Sequence, residues 1–387
     1  MAREFDVIVY GATGFTGRLV AEYLQATYGT TGPKWAMAGR SLSKLQDVRD
    51  EMGIAADVPL ITANSDDPAS LAEMAERATV VISAVGPYQL YGSELVEACA
   101  ATGTAYVDLC GEPAWMRKMI DAHEAAAKAS GARIVFSCGF DSIPFDLGVL
   151  TLQEAAIKRF GRPAPRVKCR VRTMKGKFSG GTAASLKATL AAAARDPSLV
   201  ALLTSPFALT PGHSGPHQPT GLIPEYDSTI GAWVAPFIMA PINTKNVHRT
   251  NFLLGKKYGA DFVYDEMVVA GLGDVGKAAA EALAKINPLA GDKGPKPGEG
   301  PTKEERDSGH YDVLFIGLMP DGTRVDAVVT GDRDPGYGST SKMLAESALC
   351  LVEDVAGAGG IWTPGALMGD ALTKRLIARA GMTFTAG

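Results

Sequence analysis

Three glycines near the N-terminus have the spacing of a turn that binds phosphate groups. Gly11, Gly14 and Gly17 follow the apolar segment 5–10, and an amphipathic run over 19–24 comes next. Between a strand and a helix, such glycines allow a tight turn, close approach of the backbone to a pyrophosphate, and close packing of helix on strand. Free backbone N–H groups and the positive end of the helix dipole would hold the phosphates. The alternative is a glycine-rich turn without a ligand. We predict a dinucleotide site formed by Gly11, Thr13, Gly14, Phe15, Thr16 and Gly17.

The end of the second predicted strand, residues 34–38, indicates which dinucleotide binds. An acidic residue there would bind the ribose 2′-hydroxyl of NAD, whereas an arginine accommodates the 2′-phosphate of NADP. The strand is followed by Gly39-Arg40-Ser41 with no acid at the corner, and Lys44 lies one turn further on. Arg40 would offer a planar fork to the phosphate and Ser41 a hydroxyl, unless Arg40 is an ordinary solvated arginine. The sequence therefore favours NADP(H) over NAD(H).

Regular alternation of strands and helices must position this site. Over residues 1–145, short apolar segments alternate with helical segments, and pairs such as Asp67-Pro68 mark helix starts. Continuous apolar strands separated by helices are typical of a parallel sheet covered on both faces. We therefore predict an α/β protein whose N-terminal domain, residues 1–145, is a Rossmann-type doubly wound parallel sheet that binds NADP.

Three further loops are predicted to contact the cofactor, because ligands of such sheets bind beyond the carboxyl ends of the strands. Loop 64–66 would lie beside the adenine, although ordinary loop polarity explains it equally well. Segment 84–87 would pass the pyrophosphate and the nicotinamide ribose. Segment 138–146 is too polar and too rich in Gly and Pro for a strand, and would line the nicotinamide pocket. The candidates in these loops are Ser65, Ala84, Val85, Gly86, Pro87, Cys138, Gly139 and Phe140.

The second half of the chain predicts an α+β domain over residues 146–335, for substrate binding and dimerisation. Residues 166–174 alternate charged and apolar side chains, as in a half-exposed strand, and segments 311–319 and 323–330 read as a hairpin. Residues 287–310 are rich in Pro and Gly and predict a mobile surface loop. Residues 336–387 predict a C-terminal helical region that packs back on the Rossmann domain.

Residues 199–242 are apolar yet rich in Pro and Gly. The stretch 230–242 is too short to cross a bilayer, and Pro236 and Pro241 interrupt it. Three interpretations stay open for this region: the wall of a channel for a long acyl chain, a contact with a membrane or partner, or core of the second domain.

Composition excludes several classes of protein. A net charge of −4 gives no electrostatic case for nucleic-acid binding. The five cysteines contain no C-x-x-C pair and are odd in number, which fits a reduced cytosol better than a disulfide framework or a zinc site, so we expect no metal. No apolar run reaches the roughly 18–20 residues of a membrane span, and the N-terminus enters a strand without room for a signal peptide. We predict a cytoplasmic homodimer, with peripheral membrane contact left open.

Several motifs together resemble the saccharopine dehydrogenase-like oxidoreductases, and most of all the trans-acting enoyl reductases of mycobacterial polyketide lipid assembly. The resemblance covers nearly the whole chain. It implies an NADP-binding Rossmann domain, a second mixed-sheet domain, and reduction of a C=C bond of a carrier- or synthase-bound acyl or polyketide thioester in lipid biosynthesis. The motifs that carry it are the turn from Gly11 to Gly17, Ala38-Gly39-Arg40-Ser41, Gly86-Pro87-Tyr88, the segment from Cys138 to Pro144, and Asp334-Pro335-Gly336-Tyr337.

Enoyl reduction needs a hydride, which the cofactor supplies, a group that stabilises the enolate oxygen, and a proton donor to the α-carbon. No tyrosine has a lysine four positions later, so the Tyr-x-x-x-Lys pair of short-chain reductases is absent. The leading candidates for catalysis are Tyr88, Asp141 and Ser142, on loops expected at the reactive end of the cofactor. Each also has a structural interpretation, as packing, helix capping or backbone binding. The further candidates are Tyr91, Tyr337 and Lys342.

Two other functions stay open. A dehydrogenase acting on a small amino or keto acid would need basic residues for the carboxylates, and Arg166, Arg170, Arg172 and Arg249 are available, although strand alternation predicts that some face solvent. The other alternative is a non-catalytic NADP-binding scaffold or regulator that docks on a synthase or a membrane. The apolar content of residues 199–242 favours a lipid-like substrate.

Overall fold

The computed structural model describes residues 3–177, 180–286 and 299–387. Residues 287–298, half of the predicted loop 287–310, therefore lie outside the described residues. The strands are β1 (Phe5–Tyr10), β2 (Trp35–Gly39), β3 (Leu60–Thr62), β4 (Ala78–Ser83), β5 (Ala105–Asp108), β6 (Arg133–Val135), β7 (Arg166–Lys175), β8 (Glu225–Asp227), β9 (Ala232–Pro236), β10 (Val263–Gly271), β11 (His310–Leu318), β12 (Arg324–Gly331), β13 (Gly360–Trp362) and β14 (Met382–Ala386).

Helices connect most of these strands. A single π-helical turn at Pro335–Ser339 precedes the last group of helices. The α-helices are α1 (Phe15–Tyr28), α2 (Leu42–Glu51), α3 (Pro68–Arg77), α4 (Tyr88–Tyr91), α5 (Ser93–Thr102), α6 (Pro113–Ser130), α7 (Ile143–Phe160), α8 (Gly180–Arg195), α9 (Ser198–Thr204), α10 (Ala240–Leu253), α11 (Gly273–Leu283), α12 (Lys303–Asp307), α13 (Thr340–Glu353), α14 (Pro364–Leu367) and α15 (Gly369–Arg379).

The first sheet is the predicted doubly wound parallel sheet. Its seven strands lie in the order β13-β6-β5-β4-β1-β2-β3, and every neighbouring pair is parallel. Alternate residues of β1 face opposite sides, so that Val7 and Val9 belong to one apolar core and Ile8 and Tyr10 to another. The chain reverses its direction of strand addition at β1, between β4 and β2, which is where ligands of such sheets bind.

The second sheet is mixed, with the order β14-β12-β11-β7-β10-β9-β8. Strands β7 and β10 are parallel, and the remaining pairs are antiparallel. The predicted hairpin of β11 and β12 is confirmed, and Gly322 at its turn has a φ of +85°. Helix α7 leads from the first sheet into the second and packs on β11 and β12, with Gly148 against the ring of Phe315.

The C-terminal region belongs to both sheets. Helix α13 packs on α1 and β4, but β13 forms the edge of the first sheet and β14 the edge of the second. The prediction of a helical region missed these two strands, because segments of three and five residues are too short to show a clear alternation of apolar side chains.

Of the arginines of β7, some of which were predicted to face solvent, Arg172 does so and Arg170 does not. Arg170 is fully buried, and its guanidinium lies between the carboxylates of Asp227 (2.6 Å) and Asp265 (2.7 Å). Only further along the strand does Arg172 reach the surface, where it pairs with Asp312. The strand is central, between β11 and β10, so an inward-facing charge is retained there only because two carboxylates neutralise it.

The apolar stretch 230–242 forms β9 and the start of α10. Val234, Ala235 and Phe237 are buried in the protein core, as one of the three open interpretations requires. Within the described ranges, no helix is both long and apolar enough to cross a membrane.

Candidate active site

The glycine-rich turn has a geometry that only glycine permits. Gly11 has a φ of +84°, and a Cβ built there would lie 2.6 Å from Cγ2 of Val85. A Cβ on Gly17 would lie 2.1 Å from the carbonyl oxygen of Gly11. Gly14 is the N-cap of α1 and supplies no side-chain acceptor, so the N–H groups of the first helical turn stay available for an anion.

The carboxyl ends of β1, β2 and β3 bring the predicted adenosine contacts together. Burial raises the pKa of Tyr10, and Ser65 and Arg40 are near enough to its hydroxyl to lower that pKa in part. Ser41 is the N-cap of α2, where its Oγ accepts a hydrogen bond from the Lys44 N–H (3.4 Å). Arg40 itself is exposed at the end of β2. These residues fit NADP(H), because an open cradle for the pyrophosphate adjoins a strand end with an arginine and no acid.

The loop after β4 closes the other side of the cradle. The Ala84 N–H donates to the Tyr10 carbonyl (2.9 Å), and Val85 packs against Gly11. Gly86 and Pro87 follow and lead into α4. The backbone of the predicted segment 84–87 therefore borders the turn that would hold the phosphates.

Tyr88 does not have the surroundings of a proton donor. It is buried, its ring packs against that of Trp115 with the ring centres 5.4 Å apart, and its hydroxyl donates to the Ser83 carbonyl (2.9 Å). Burial raises the pKa of this phenol well above its usual value. The side chain is committed to packing beneath the loop, so its geometry does not support the predicted catalytic role. Tyr91 lies at the end of α4 and is not part of the cavity described next.

A cavity of about 110 Å³, open to solvent, lies where the two sheets meet. Residues 139–141 after β6, the end of β7 and the turn 335–337 form its walls. Leu109, Met174 and Met239 make much of the lining apolar. Of the predicted nicotinamide contacts, Gly139 and Phe140 line the cavity, whereas Cys138 is buried with its thiol toward the Val135 carbonyl.

Asp141 is the predicted catalytic residue that lies at this cavity. Its Oδ1 atom is buried and has no hydrogen-bond partner among the described residues. Burial raises the pKa of the carboxyl to about 7. Near neutral pH a large fraction of Asp141 is therefore protonated, which makes it a suitable proton donor.

Ser142 is adjacent in sequence but is directed elsewhere. It is fully buried, and its Oγ accepts a hydrogen bond from Nδ2 of Asn246 (2.9 Å), which also contacts Oγ of Ser137 (3.1 Å). The structure thus does not place Ser142 on the cavity, and its contacts position the loop that carries Asp141.

A second buried acid lies behind Asp141. Glu266 accepts hydrogen bonds from the Tyr264 hydroxyl and from Nδ2 of Asn243, both at 2.9 Å. Burial raises the pKa of Glu266 well above its usual value, and the charge of Asp141 raises it further. The two carboxyls therefore disfavour simultaneous ionisation, which helps to keep a proton at the site.

Sequence reasoning missed several residues of this site. Thr340 accepts a hydrogen bond from the Phe140 N–H of the loop 139–141. In the lining, Met174 belongs to β7, Lys177 follows that strand, and Met239 precedes α10. No local pattern marks them, because they reach the cavity from distant parts of the chain.

Tyr337, a secondary candidate, does line the cavity, and its ring meets that of Phe15 edge-on at 5.1 Å; Lys342 lies outside the lining. In the part of the chain that the structure describes, no group of three His, Cys, Asp or Glu residues could hold a metal ion.

Comparisons with known proteins identify relatives over nearly the whole chain. Residues 7–135 match the family described as the saccharopine dehydrogenase NADP binding domain. A protein of Mycobacterium tuberculosis that is provisionally named a trans-acting enoyl reductase is 41% identical over 99% of this chain and 97% of its own length. The trans-acting enoyl reductase of Mycobacterium ulcerans is 37% identical, over 97% and 96%. Among solved structures, apo saccharopine dehydrogenase (L-Glu forming) from Saccharomyces cerevisiae covers 99% of both chains with a TM-score of 0.57 and 12% identity, which shows a shared fold.

Proposed function

Since the chain belongs to the trans-acting enoyl reductase family, whose N-terminal part is a saccharopine dehydrogenase NADP-binding domain, we propose that it reduces the C=C bond of an acyl or polyketide thioester. It is an NADP(H)-dependent oxidoreductase by the same evidence. The observation that carries the proposal is the buried Asp141, whose Oδ1 has no partner among the described residues, in an apolar-walled cavity whose Tyr337 packs on Phe15 of the dinucleotide turn.

Different residues of the chain would bind the cofactor and line the cavity for the substrate. NADPH, when bound, supplies the hydride for the β-carbon of the enoyl thioester. The glycine-rich turn would bind the pyrophosphate and Arg40 the 2′-phosphate, which fixes the cofactor relative to the cavity. Leu109, Met174 and Met239 would give the acyl chain apolar contacts.

Proton delivery completes the reaction. Reduction at the β-carbon leaves an enolate, and the carboxyl of Asp141 gives its proton to the α-carbon. Lys177 and Tyr337 line the same cavity and are the candidates to hydrogen-bond the thioester carbonyl oxygen. Burial of the Asp141 carboxyl disfavours its anionic form and so favours its return to the protonated form after each turnover.

The cavity gives less support to a small amino or keto acid as substrate. Among the described lining residues Lys177 is the one cation, and it pairs with Glu305. Arg170 is buried in its own ion pairs, and Arg249 donates to the carbonyls of Leu209 (2.6 Å) and Ile361 (2.5 Å). A carboxylate substrate would therefore find few of the partners that it requires.

The finer points of the proposal concern partners and location. The acyl chain would stay on a carrier or synthase. Residues 1–145 would hold the cofactor, and residues 146–335 would bind the substrate and form the interface of a homodimer. The protein would act in the cytoplasm, with peripheral membrane contact left open. The names of the relatives support action on a synthase-bound chain.

NADPH consumption in the presence of different substrates tests the proposed activity. We expect oxidation with an enoyl thioester, and none with the matched saturated thioester or with a keto acid plus ammonia. Consumption only with the keto acid would favour the amino acid dehydrogenase. Tight NADPH binding without turnover on a free or a carrier-bound enoyl thioester would favour the non-catalytic scaffold.

A further inference from the structure

A segment of the second half of the chain lies on the glycine-rich turn. Residues 299–307, which include α12, approach the ring of Phe15 so closely that a Cβ on Gly300 would lie 2.4 Å from it. The guanidinium carbon of Arg306 lies 5.8 Å from the centre of the same ring. Phe15 is the first residue of α1, so the Arg306 side chain lies against the residue at which the helix of the dinucleotide turn begins.

Among the residues that the structure describes, Arg306 has no carboxylate within ion-pair distance. Its Nη1 donates to the Pro301 carbonyl (2.8 Å). Its acidic neighbours are engaged elsewhere, since Asp307 pairs with Lys303 (2.5 Å) and with Arg333 (3.4 Å).

A hydrogen bond to Asp334 fixes the backbone of Arg306 next to the turn 335–339. The Arg306 carbonyl accepts this bond from the Asp334 N–H (2.9 Å), and Asp334 in turn caps the turn 335–339 whose Tyr337 packs on Phe15. An arginine that is half-buried, anchored on both sides and stacked on an aromatic ring loses little further freedom when it binds an anion.

We propose that Arg306 binds the pyrophosphate of NADP(H), so that the dinucleotide is held from both halves of the chain. The guanidinium has five N–H donors, and the single bond to Pro301 leaves the others for phosphate oxygens. This role is distinct from that predicted for Arg40, which lies at the end of β2, where the 2′-phosphate is expected. It depends on NADP(H) binding and not on the nature of the reduced substrate.

Titration of the full-length protein with NADPH and with NADH tests this role without any turnover. Because both dinucleotides carry the pyrophosphate, Arg306→Ala should weaken both by a similar factor of about tenfold or more, the usual effect of losing a charged hydrogen bond. Lys303→Ala, which removes a positive charge from an exposed position of the same helix, should leave both affinities within about twofold.

A second substitution, Arg306→Gln, tests the proposal even if Arg306→Ala disturbs the folding of residues 299–307. Arg306→Gln keeps an N–H donor for the Pro301 carbonyl but removes the charge, and it should melt like the wild type and still lose affinity for both dinucleotides. Unchanged affinities in Arg306→Gln would overturn the proposal. A loss of affinity confined to NADPH would also overturn the proposal, because it would place Arg306 at the 2′-phosphate. Unchanged affinity for both dinucleotides with a raised KM for the thioester would overturn it as well, because Arg306 would then be a substrate contact.

Discussion

The hydroxyl of Thr340 accepts a hydrogen bond from the backbone N–H of Phe140 at 2.9 Å, across 200 residues of chain. The same hydroxyl donates to the Pro335 carbonyl (2.8 Å). It therefore joins two walls of the cavity, the loop that carries Asp141 and the turn that carries Tyr337. The geometry of the site depends on this contact between the two halves of the molecule.

Removing this hydroxyl should misplace Asp141. Thr340→Val leaves the buried Phe140 N–H without an acceptor, which costs about 1–3 kcal/mol of stability, and we expect turnover to fall about tenfold because the proton donor is no longer held in place. Thermal melting and steady-state kinetics measure the two effects. Thr340→Ser keeps the hydroxyl and should restore turnover; equal kinetics of the Val and Ser variants would show that the contact does not position the loop.

Asp141→Asn should remove the proton donor. We expect kcat/KM to fall about 100-fold or more, as for other general acids. In the wild type the pKa of Asp141 is raised to about 7, so the donating form prevails below that pH and is lost above it. The kcat/KM profile should therefore decline on the alkaline side of about pH 7, and the variant should lose this decline.

Asp146→Asn is the matched control for that experiment. Burial also raises the pKa of Asp146 to about 7, but this carboxyl accepts a hydrogen bond from the Gly365 N–H (2.7 Å) and does not line the cavity. Its substitution should affect stability and leave the pH profile unchanged. An alkaline decline that persists in Asp141→Asn would assign the titrating group elsewhere.

Arg40→Ala should change the choice of cofactor. Loss of a charged hydrogen bond to the 2′-phosphate predicts an affinity for NADPH that is about 10- to 100-fold lower. NADH lacks this phosphate, so its binding serves as the internal control and should change by less than about twofold. Equal weakening of both dinucleotides in a titration would refute the assignment of Arg40.

Arg170→Leu should destabilise the second sheet. The substitution removes the buried cation that Asp227 and Asp265 share and leaves each with a single cationic partner that is less buried, Lys168 and Arg166 respectively, which costs about 3 kcal/mol. Arg172→Ala, two residues along the same strand, removes an exposed pair with Asp312 and should cost no more than about 1 kcal/mol. Denaturant unfolding compares the two variants; similar losses would contradict the account of Arg170.

The first sheet was predictable because its signals are local. Continuous apolar strands, helix caps such as Asp67 and the glycine spacing at Gly11 each act over a few residues, and the sheet follows from them. The structure also places Arg40 at the end of β2 and Asp141 at the cavity, as the order of strands and loops predicts.

The remainder depends on contacts between distant segments. Thr340 meets Phe140, Arg306 meets Phe15, and Arg170 meets two acids from β10 and β8, none of which has a sequence pattern of its own. Tyr88 and Ser142 were predicted at the site because their loops are there, but the direction of a side chain is decided by its packing partners. Trp115 and Asn246 direct these two side chains into the protein.

The central claim is hydride transfer to an enoyl thioester, and the most direct measurement follows a labelled hydride. The protein would be mixed with NADPH carrying deuterium at the transferred position and an enoyl thioester on a carrier, and the acyl product analysed by mass spectrometry. We predict a saturated acyl chain with deuterium at the β-carbon and a solvent-derived hydrogen at the α-carbon. An unchanged enoyl chain, with deuterium transferred instead to an imine formed from a keto acid and ammonia, would contradict the account.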